Sequence, residues 1–289
     1  MDKQSLFLNL KNSLGKFLGK TRTRAIAPPL IINPQKIPYG SFKFQIKSAA
    51  GAEFQIYAST NLITWINIAQ GKTNQGIVDY VDPEASRLGY RFYRVVVNST
   101  VSENIIGYVT INLPPGFAMI ANPFKNQDNT IQRLLADMPD GTTFNKFDNL
   151  KFKLVENQLK NGRWSHPNDI FSPGEGAIIY NPMDEYRPLC FAGEVLQGQI
   201  LNPIPAGFSI KSSMLPQAGR LHDDLQFPVA DGDIIHIFDR DRQKYNVFNY
   251  DPKQWSINPP IVGIGESFWV GKKSPANWIR TYNPPPLLG

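Results

Sequence analysis

The sequence is poor in the residues that most often carry metal chemistry or covalent cross-links. Its 289 residues include one cysteine and three histidines. A single cysteine excludes a disulfide within one chain and any zinc site built from several cysteines. The histidines, His166, His222 and His236, have no partner ligand at the short spacings of metal-binding motifs. We therefore expect no metal and no cofactor.

Long apolar runs are missing as well. No stretch of about 18 or more apolar residues occurs, so the sequence predicts no transmembrane helix. We also predict no cleavable signal peptide, because Asn9, Lys11, Asn12 and Lys16 interrupt the apolar part of the N-terminal segment. The sequence contains no glycine-rich phosphate loop and no nucleophile elbow. These absences indicate a protein that is not an enzyme.

The remaining candidates for catalysis are a thiol and several carboxylates. Cys190 lies between Leu189 and Phe191, which favours a buried, inert thiol. A glycosidase pair formed by Glu175 and Glu266 would need carboxyl groups within about 5–10 Å of each other. We expect each of these two carboxylates to bond turn amides instead. A hydrolase with an unrecognised acidic site is the least favoured of our functional hypotheses.

The positive charge of the chain is concentrated at its N-terminus. Residues 1–24 contain six basic residues and one acidic residue, whereas the net charge of the whole chain is +6. The rest is nearly neutral, so the basic pI describes the N-terminal segment and predicts no nucleic-acid surface.

Apolar residues in that segment recur at helical spacing, at Leu6, Leu10, Leu14, Phe17 and Leu18. Residues 4–19 therefore predict a basic amphipathic helix. Such a helix docks on its own protein or a partner subunit, lies on an anionic membrane surface, or acts as a targeting segment. Because Pro28 and Pro29 end the helical pattern, we assign residues 1–36 to this helix and a linker.

From residue 37 the apolar pattern changes to a period of two. Phe42, Phe44 and Ile46 alternate with polar residues, and residues 90–97 form a strong strand pattern. About seven short strands separated by turn signals predict an immunoglobulin- or fibronectin III-like β-sandwich over 37–111.

Three stretches of this region carry a family resemblance. They are residues 54–65 (FQIYASTNLITW), residues 82–85 (DPEA) and residues 90–95 (YRFYRV). Together they resemble a small β-sandwich module of secreted and surface proteins from verrucomicrobial and planctomycete bacteria. The resemblance implies a fold and a bacterial source, and it implies a spacer or adhesive unit without catalysis.

The rest of the chain contains an internal repeat at an offset of 91 residues, with 14 identities over residues 114–175. The identities include Pro114/Pro205, Gly116/Gly207, Phe117/Phe208, Asp140/Asp231, Gly141/Gly232, Phe147/Phe238, Trp164/Trp255, Gly174/Gly265 and Glu175/Glu266. Residues 112–200 and 201–289 thus predict two homologous β modules. The predicted fold class is mainly β, with one N-terminal helix, one sandwich and two repeats.

Aromatic residues are the best candidates for a binding surface. The repeated Trp164 and Trp255 are expected in cores. Trp269 and Trp278 have no aromatic counterpart in the first repeat, so we select them with Tyr250 as binding residues.

The favoured hypothesis is a non-catalytic structural or interaction protein of a bacterial cell surface, an extracellular appendage or a virion-like assembly. Its expected partners are other protein subunits in a homo-oligomer, filament or lattice, and a membrane surface through residues 4–19. The alternative is a carbohydrate-binding protein that uses the aromatic residues of the C-terminal repeats.

Overall fold

The computed structural model describes residues 27–37, 40–251 and 253–287, and their regular structure is mainly β, which confirms that part of the predicted class. The predicted helix over residues 4–19 lies outside the described residues. A 3₁₀ turn (Pro83–Ser86) and one short helix, α1 (Ile131–Leu134), interrupt the strands. The strands are β1 (Leu30–Lys36), β2 (Phe42–Lys47), β3 (Glu53–Ser59), β4 (Ile66–Lys72), β5 (Ile77–Asp82), β6 (Tyr90–Val97), β7 (Thr100–Val101), β8 (Ile106–Leu113), β9 (Gly116–Ile120), β10 (Thr143–Asp148), β11 (Lys153–Lys160), β12 (Arg163–Trp164), β13 (Ala177–Asn181), β14 (Arg187–Glu194), β15 (Gly198–Ile204), β16 (Gly207–Ser212), β17 (Gly219–Arg220), β18 (Asp233–Asp239), β19 (Lys244–Tyr250), β20 (Ile261–Val262), β21 (Ser267–Lys272) and β22 (Ala276–Tyr282).

The first part of the chain forms a β-sandwich. A three-stranded sheet with the order β1-β2-β5 packs against a sheet with the order β4-β3-β6-β8. Period-two alternation buries Phe42 and Phe44 on one face of β2 and leaves Lys43 in solvent. The ring of Phe42 lies 5.0 Å from the rings of both Tyr93 and Tyr108, so aromatic packing joins the two sheets.

Strand β1 departs from the sequence prediction, which placed residues 30–36 in a linker. These residues pair with β2, and Ile31 is buried in the sandwich core. The pairing shifts register between Ile32 and Gln35, and Asn33 has a φ of +54°. This irregularity breaks the period-two pattern by which a strand is recognised in sequence.

The buried carboxylate of Asp82, at the end of β5, binds side chains of β6. Asp82 is almost fully buried and accepts hydrogen bonds from Arg91 at 2.7 Å and Tyr93 at 2.6 Å. Its other oxygen accepts from the backbone N–H of Glu84 and so caps the 3₁₀ turn. Burial, followed by the bond to Asp82, raises the pKa of Tyr93 far above its ordinary value.

The two repeats have corresponding strands. At the offset of 91 residues β9 corresponds to β16, β10 to β18, β11 to β19 and β13 to β21. Each unit also begins with a strand that pairs with its own last strand, β8 with β14 and β15 with β22. The boundaries placed between residues 111 and 112 and between 200 and 201 therefore fall inside β8 and β15. Pairing of β8 with β14 also extends the larger sheet of the sandwich.

The repeats contact each other reciprocally. Ile120 forms a β-bridge with Glu266, and the corresponding residues Lys211 and Glu175 form the mirrored bridge. Likewise the N–H of Ala121 donates to the carbonyl of Gly265 at 2.8 Å, and the N–H of Ser212 donates to that of Gly174 at 3.1 Å. Paired contacts of this kind are the mark of a two-fold relation, here between two parts of one chain.

Two hydrogen bonds connect the end of the second repeat to the sandwich. The hydroxyl of Tyr282 donates to the carbonyl of Leu62 at 3.0 Å, and Arg94 donates to the carbonyl of Pro285 at 2.6 Å. Burial raises the pKa of Tyr282 to about 12. These contacts join the sandwich to the last strand of the chain.

Replacement of Asp82 by Asn is expected to reduce the free energy of unfolding by about 3 kcal/mol or more, because it leaves the Arg91 guanidinium buried without its counter-ion. Chemical denaturation measures the change. The control is Asp79→Asn on the same strand, where the exposed carboxylate accepts from Gln45 and from no other described residue, and its expected effect is below about 0.5 kcal/mol. Equal losses in the two variants would contradict this role of Asp82.

Replacement of Gly265 by Ala tests the contact between the repeats. Gly265 has a φ of +79°, and a Cβ there would lie 2.8 Å from Cδ1 of Ile111. Gly162 has a similar φ of +70°, and no described atom beyond its chain neighbours lies within 4 Å of the corresponding Cβ position, so Gly162→Ala isolates the backbone cost. We expect Gly265→Ala to be less stable than Gly162→Ala by about 1–3 kcal/mol in chemical denaturation. Identical stabilities would show that the turn is not tightly packed.

Candidate functional site

The outer faces of the two repeat sheets meet in a cleft. On β10, Phe144 fills the core of the first repeat, so Thr143, Asn145 and Phe147 point to the opposite face. On β18, Ile235 has the same role in the second repeat, and His236 and Phe238 are the outer residues whose side chains line the cleft.

This aromatic cleft consists of two cavities of about 580 Å³ and about 290 Å³. Tyr245 lines both cavities, so they adjoin. The first is lined by Phe117, Met119, Thr143, Asn145, Leu154, Glu156, Ile178, Tyr180, Phe238, Gln243 and Tyr245. The second is lined by Phe147, Phe152, Phe208, His236, Tyr245 and Trp269.

The two cavities are copies of one another under the two-fold relation. Phe117, Asn145, Leu154 and Ile178 of the first correspond to Phe208, His236, Tyr245 and Trp269 of the second. Each cavity also receives residues from the opposite repeat. These are Phe238 and Gln243 in the first cavity and Phe147 and Phe152 in the second, and they correspond at the same offset of 91 residues. Corresponding positions of the two repeats therefore form two chemically different cavities.

Aromatic rings form most of the wall of the second cavity. The ring of Trp269 lies edge-on to Phe147 at 4.9 Å, and its N–H donates to the Tyr245 hydroxyl at 3.2 Å. Phe152 packs edge-on to Phe147 at 5.3 Å. Because Trp269 and Tyr245 stand where the first cavity has Ile178 and Leu154, the second cavity has about half the volume of the first.

The first cavity combines aromatic rings with polar groups. Phe117 and Tyr180 lie 5.0 Å apart on neighbouring strands, and Phe117 is 46% exposed. Amide, hydroxyl and carboxylate groups come from Asn145, Thr143 and Glu156. This lining offers both apolar contact and hydrogen bonding.

Two hairpin turns cross between the repeats and fix the exposed aromatic residues. Gln243, in the β18–β19 turn, accepts from the N–H of Phe117 at 2.8 Å and donates to its carbonyl at 2.8 Å. In the β10–β11 turn, Asn149 donates to the carbonyl of Phe208 at 2.7 Å. The two equivalent phenylalanines are thus held through their backbones while their rings remain accessible.

The three aromatic residues selected from sequence lie in three different environments. Trp269 lines the second cavity. Trp278 is 0% exposed, packs against Phe227 and donates its N–H to the carbonyl of Leu225 at 2.8 Å, so its assignment as a binding residue is wrong. Tyr250 lies outside the cleft, at the end of β19, with its ring 5.0 Å from that of Trp255. The selected N-terminal residues Leu6, Leu10, Leu14, Phe17 and Leu18 lie outside the described residues.

Sequence reasoning missed most of the cleft, including Phe117, Phe208, Phe147 and Phe238. The last two appeared in the sequence only as identities between the repeats, yet both line cavities. The available signal was that phenylalanine recurs in both repeats at positions that alternate with the core residues.

The ionisable groups have mainly structural contacts. The N–H of Ser172 donates to Glu175 at 2.7 Å, and that of Gly263 donates to Glu266 at 2.8 Å, which confirms the predicted bonds to turn amides. Burial lowers the pKa of His236 and raises that of the Cys190 thiol. Within the described ranges, no group of three or more His, Cys, Asp or Glu residues is placed to hold a metal ion, and no helix has the length and apolarity to cross a membrane.

Comparisons with known proteins give little further information. No family model matches the chain, and no curated protein matches it. Among solved structures, the FN1–FN3 domains of chicken CNTN1 share 9% identity with this chain, over 89% of its length and 93% of theirs. The TM-score is 0.22. At that score the likeness carries no conclusion about function or about the arrangement of the modules.

Proposed function

We propose that the protein is a non-catalytic interaction protein whose aromatic cleft binds another protein subunit. The observation that carries this proposal is the accessible aromatic lining, in which Phe117 is 46%, Tyr245 41% and Phe152 63% exposed. Soluble monomers rarely leave such rings grouped in one concave surface, and aromatic residues are enriched at the centres of protein interfaces.

Rigidity of the lining supports the same function. The cleft residues belong mainly to strands of two sheets, and backbone hydrogen bonds at Gly174 and Gly265 fix one sheet relative to the other. A preformed surface loses little conformational entropy when a partner docks.

The proposed setting is a bacterial cell surface, an extracellular appendage or a virion-like assembly, with further copies of this chain as partners. Support for this setting comes from the resemblance of residues 54–65 and 90–95 to modules of bacterial surface proteins. Near-neutral charge outside residues 1–24 supports a protein partner rather than a nucleic acid.

Removing two accessible rings is expected to weaken self-association. In the variant Phe117→Ala/Phe152→Asn, Asn readily adopts the φ of +52° found at residue 152, so the turn is retained. Loss of about 1–2 kcal/mol for each ring weakens association at least tenfold, measured by sedimentation velocity over a concentration series.

The matched control is Ile63→Asn/Ile77→Ala, which removes two exposed apolar residues from the sandwich. It should associate like the parent. A parent protein that stays monomeric and binds no envelope fraction would refute the proposed function, and so would unchanged association of the cleft variant.

The polar lining of the first cavity favours carbohydrate binding as a second candidate function. Sugar rings stack on aromatic faces while their hydroxyls bond to side chains, and here Tyr180 adjoins Asn145 and Glu156. The second cavity lacks this combination, because its rings pack edge-on against each other.

A glycan array tests the carbohydrate candidate. If it holds, Tyr180→Ala loses binding because the stacking ring is removed, whereas Tyr250→Ala, an aromatic truncation outside the cleft, retains it. Absence of binding by the parent protein would eliminate this function.

A further inference from the structure

A second apolar surface accompanies the cleft in the same chain. The amphipathic helix that the sequence predicts over residues 4–19 has one stripe formed by Leu6, Leu10, Leu14, Phe17 and Leu18. A stripe of this kind becomes stable when it is buried against apolar surface.

We propose that residues 4–19 of one copy occupy the aromatic cleft of a second copy. This inference rests on the proposed function and identifies the partner segment. Amphipathic helices commonly dock by inserting residues at i, i+3/i+4 and i+7 into an apolar groove. Leu10, Leu14 and Phe17 have that spacing, and the two adjoining cavities offer a two-part groove for such anchors.

Charge complementarity supports this occupant. Among the described residues that line the two cavities, Glu156 is the only carboxylate, and the lining contains neither lysine nor arginine. Its side chain forms no ion pair or hydrogen bond with another described residue. The segment carries Lys3, Lys11, Lys16 and Lys20, so a basic residue beside the apolar stripe gains a counter-ion in the groove.

The starting point of the described chain favours a cleft on a second copy. The carbonyl of Pro29 accepts from Glu103, and the Asn104 side chain bonds Ile31 and Glu194, so the chain enters beside the Ile106 end of β8. The cleft begins with Phe117, just beyond Leu113 at the opposite end of β8, about 24 Å away by the rise of that strand. The described chain thus begins at the end of the sandwich that is remote from its own cleft.

Docking of one copy's segment in the next copy's cleft uses two different surfaces. Such heterologous contacts propagate into open chains of subunits unless the rotation between copies closes a ring. The inference therefore predicts a filament or ring built by a single repeated contact.

The first experiment compares full-length variants by sedimentation velocity. Leu10→Asp/Leu14→Asp places charges on the apolar stripe and should weaken self-association at least tenfold. The control, Ser5→Asp/Asn12→Asp, introduces the same two charges on the opposite face of the predicted helix and should associate like the parent.

The second experiment uses a fluorescent peptide of residues 1–24 and measures anisotropy. The peptide should bind the full-length Leu10→Asp/Leu14→Asp protein, whose cleft is free. Binding should fall at least tenfold when Phe117→Ala/Phe152→Asn is added to that protein. Glu156→Lys should also weaken binding at least tenfold, and more than Glu156→Gln, because the sign of the charge in the groove is reversed.

The outcomes separate this inference from the proposed function. Association that depends on the cleft residues but not on Leu10 and Leu14 would overturn the inference and leave the proposed function standing. A peptide that binds vesicles containing anionic lipid but not the protein would overturn the inference in favour of a membrane role. If the cleft variant and the segment variant both associate like the parent, the inference and the proposed function are refuted together.

Discussion

The hydrogen bonds between the two repeats are the constraint on which the cleft depends. The carbonyls of Gly174 and Gly265 each accept from the opposite repeat, and the adjoining Glu175 and Glu266 form the mirrored bridges. Gly174 and Gly265 have a φ of +91° and +79°, where a side chain would be strained and would also collide with its neighbours. Conserving this turn in both repeats fixes how the two outer sheet faces meet. The cleft is a consequence of that placement rather than of any single module.

The two repeats place different side chains at corresponding positions, both inside and outside their cores. In the second repeat the Lys272 ammonium lies 2.5 Å from Asp233 in a buried ion pair, whereas the first repeat has Asn181 and Thr142 at the same positions. Asn181 instead donates to backbone carbonyls, including that of Glu185 at 2.9 Å. Both solutions satisfy buried polar groups. The cavities differ in the same way, because Trp269 narrows the second and the smaller Ile178 at the corresponding position leaves the first wider.

Sequence patterns predicted the features that depend on local alternation and on identity between repeats. Phe42 and Phe44 marked a half-buried strand, and the recurrence of Glu175 and Glu266 marked a turn. Strand β1 was missed because the left-handed Asn33 interrupts its alternation. Trp278 was misassigned because lack of an aromatic counterpart says nothing about which face of β22 is buried. The cleft itself was beyond sequence reasoning, since it arises from long-range pairing between two sheets.

Comparison of the two repeats shows whether the exposed apolar residues of the first repeat are needed for folding. In the first repeat, the β10–β11 turn and strand β11 carry three exposed apolar residues, Leu150, Phe152 and Val155. The corresponding residues of the second repeat are Asp241, Gln243 and Asn246. Both hairpins form the same strand pairs with the same left-handed residue before the second strand. The fold therefore accepts polar residues at these positions and does not require apolar ones. Exposed apolar side chains that folding does not demand, one of which, Phe152, lines the second cavity, support the proposed contact with a partner.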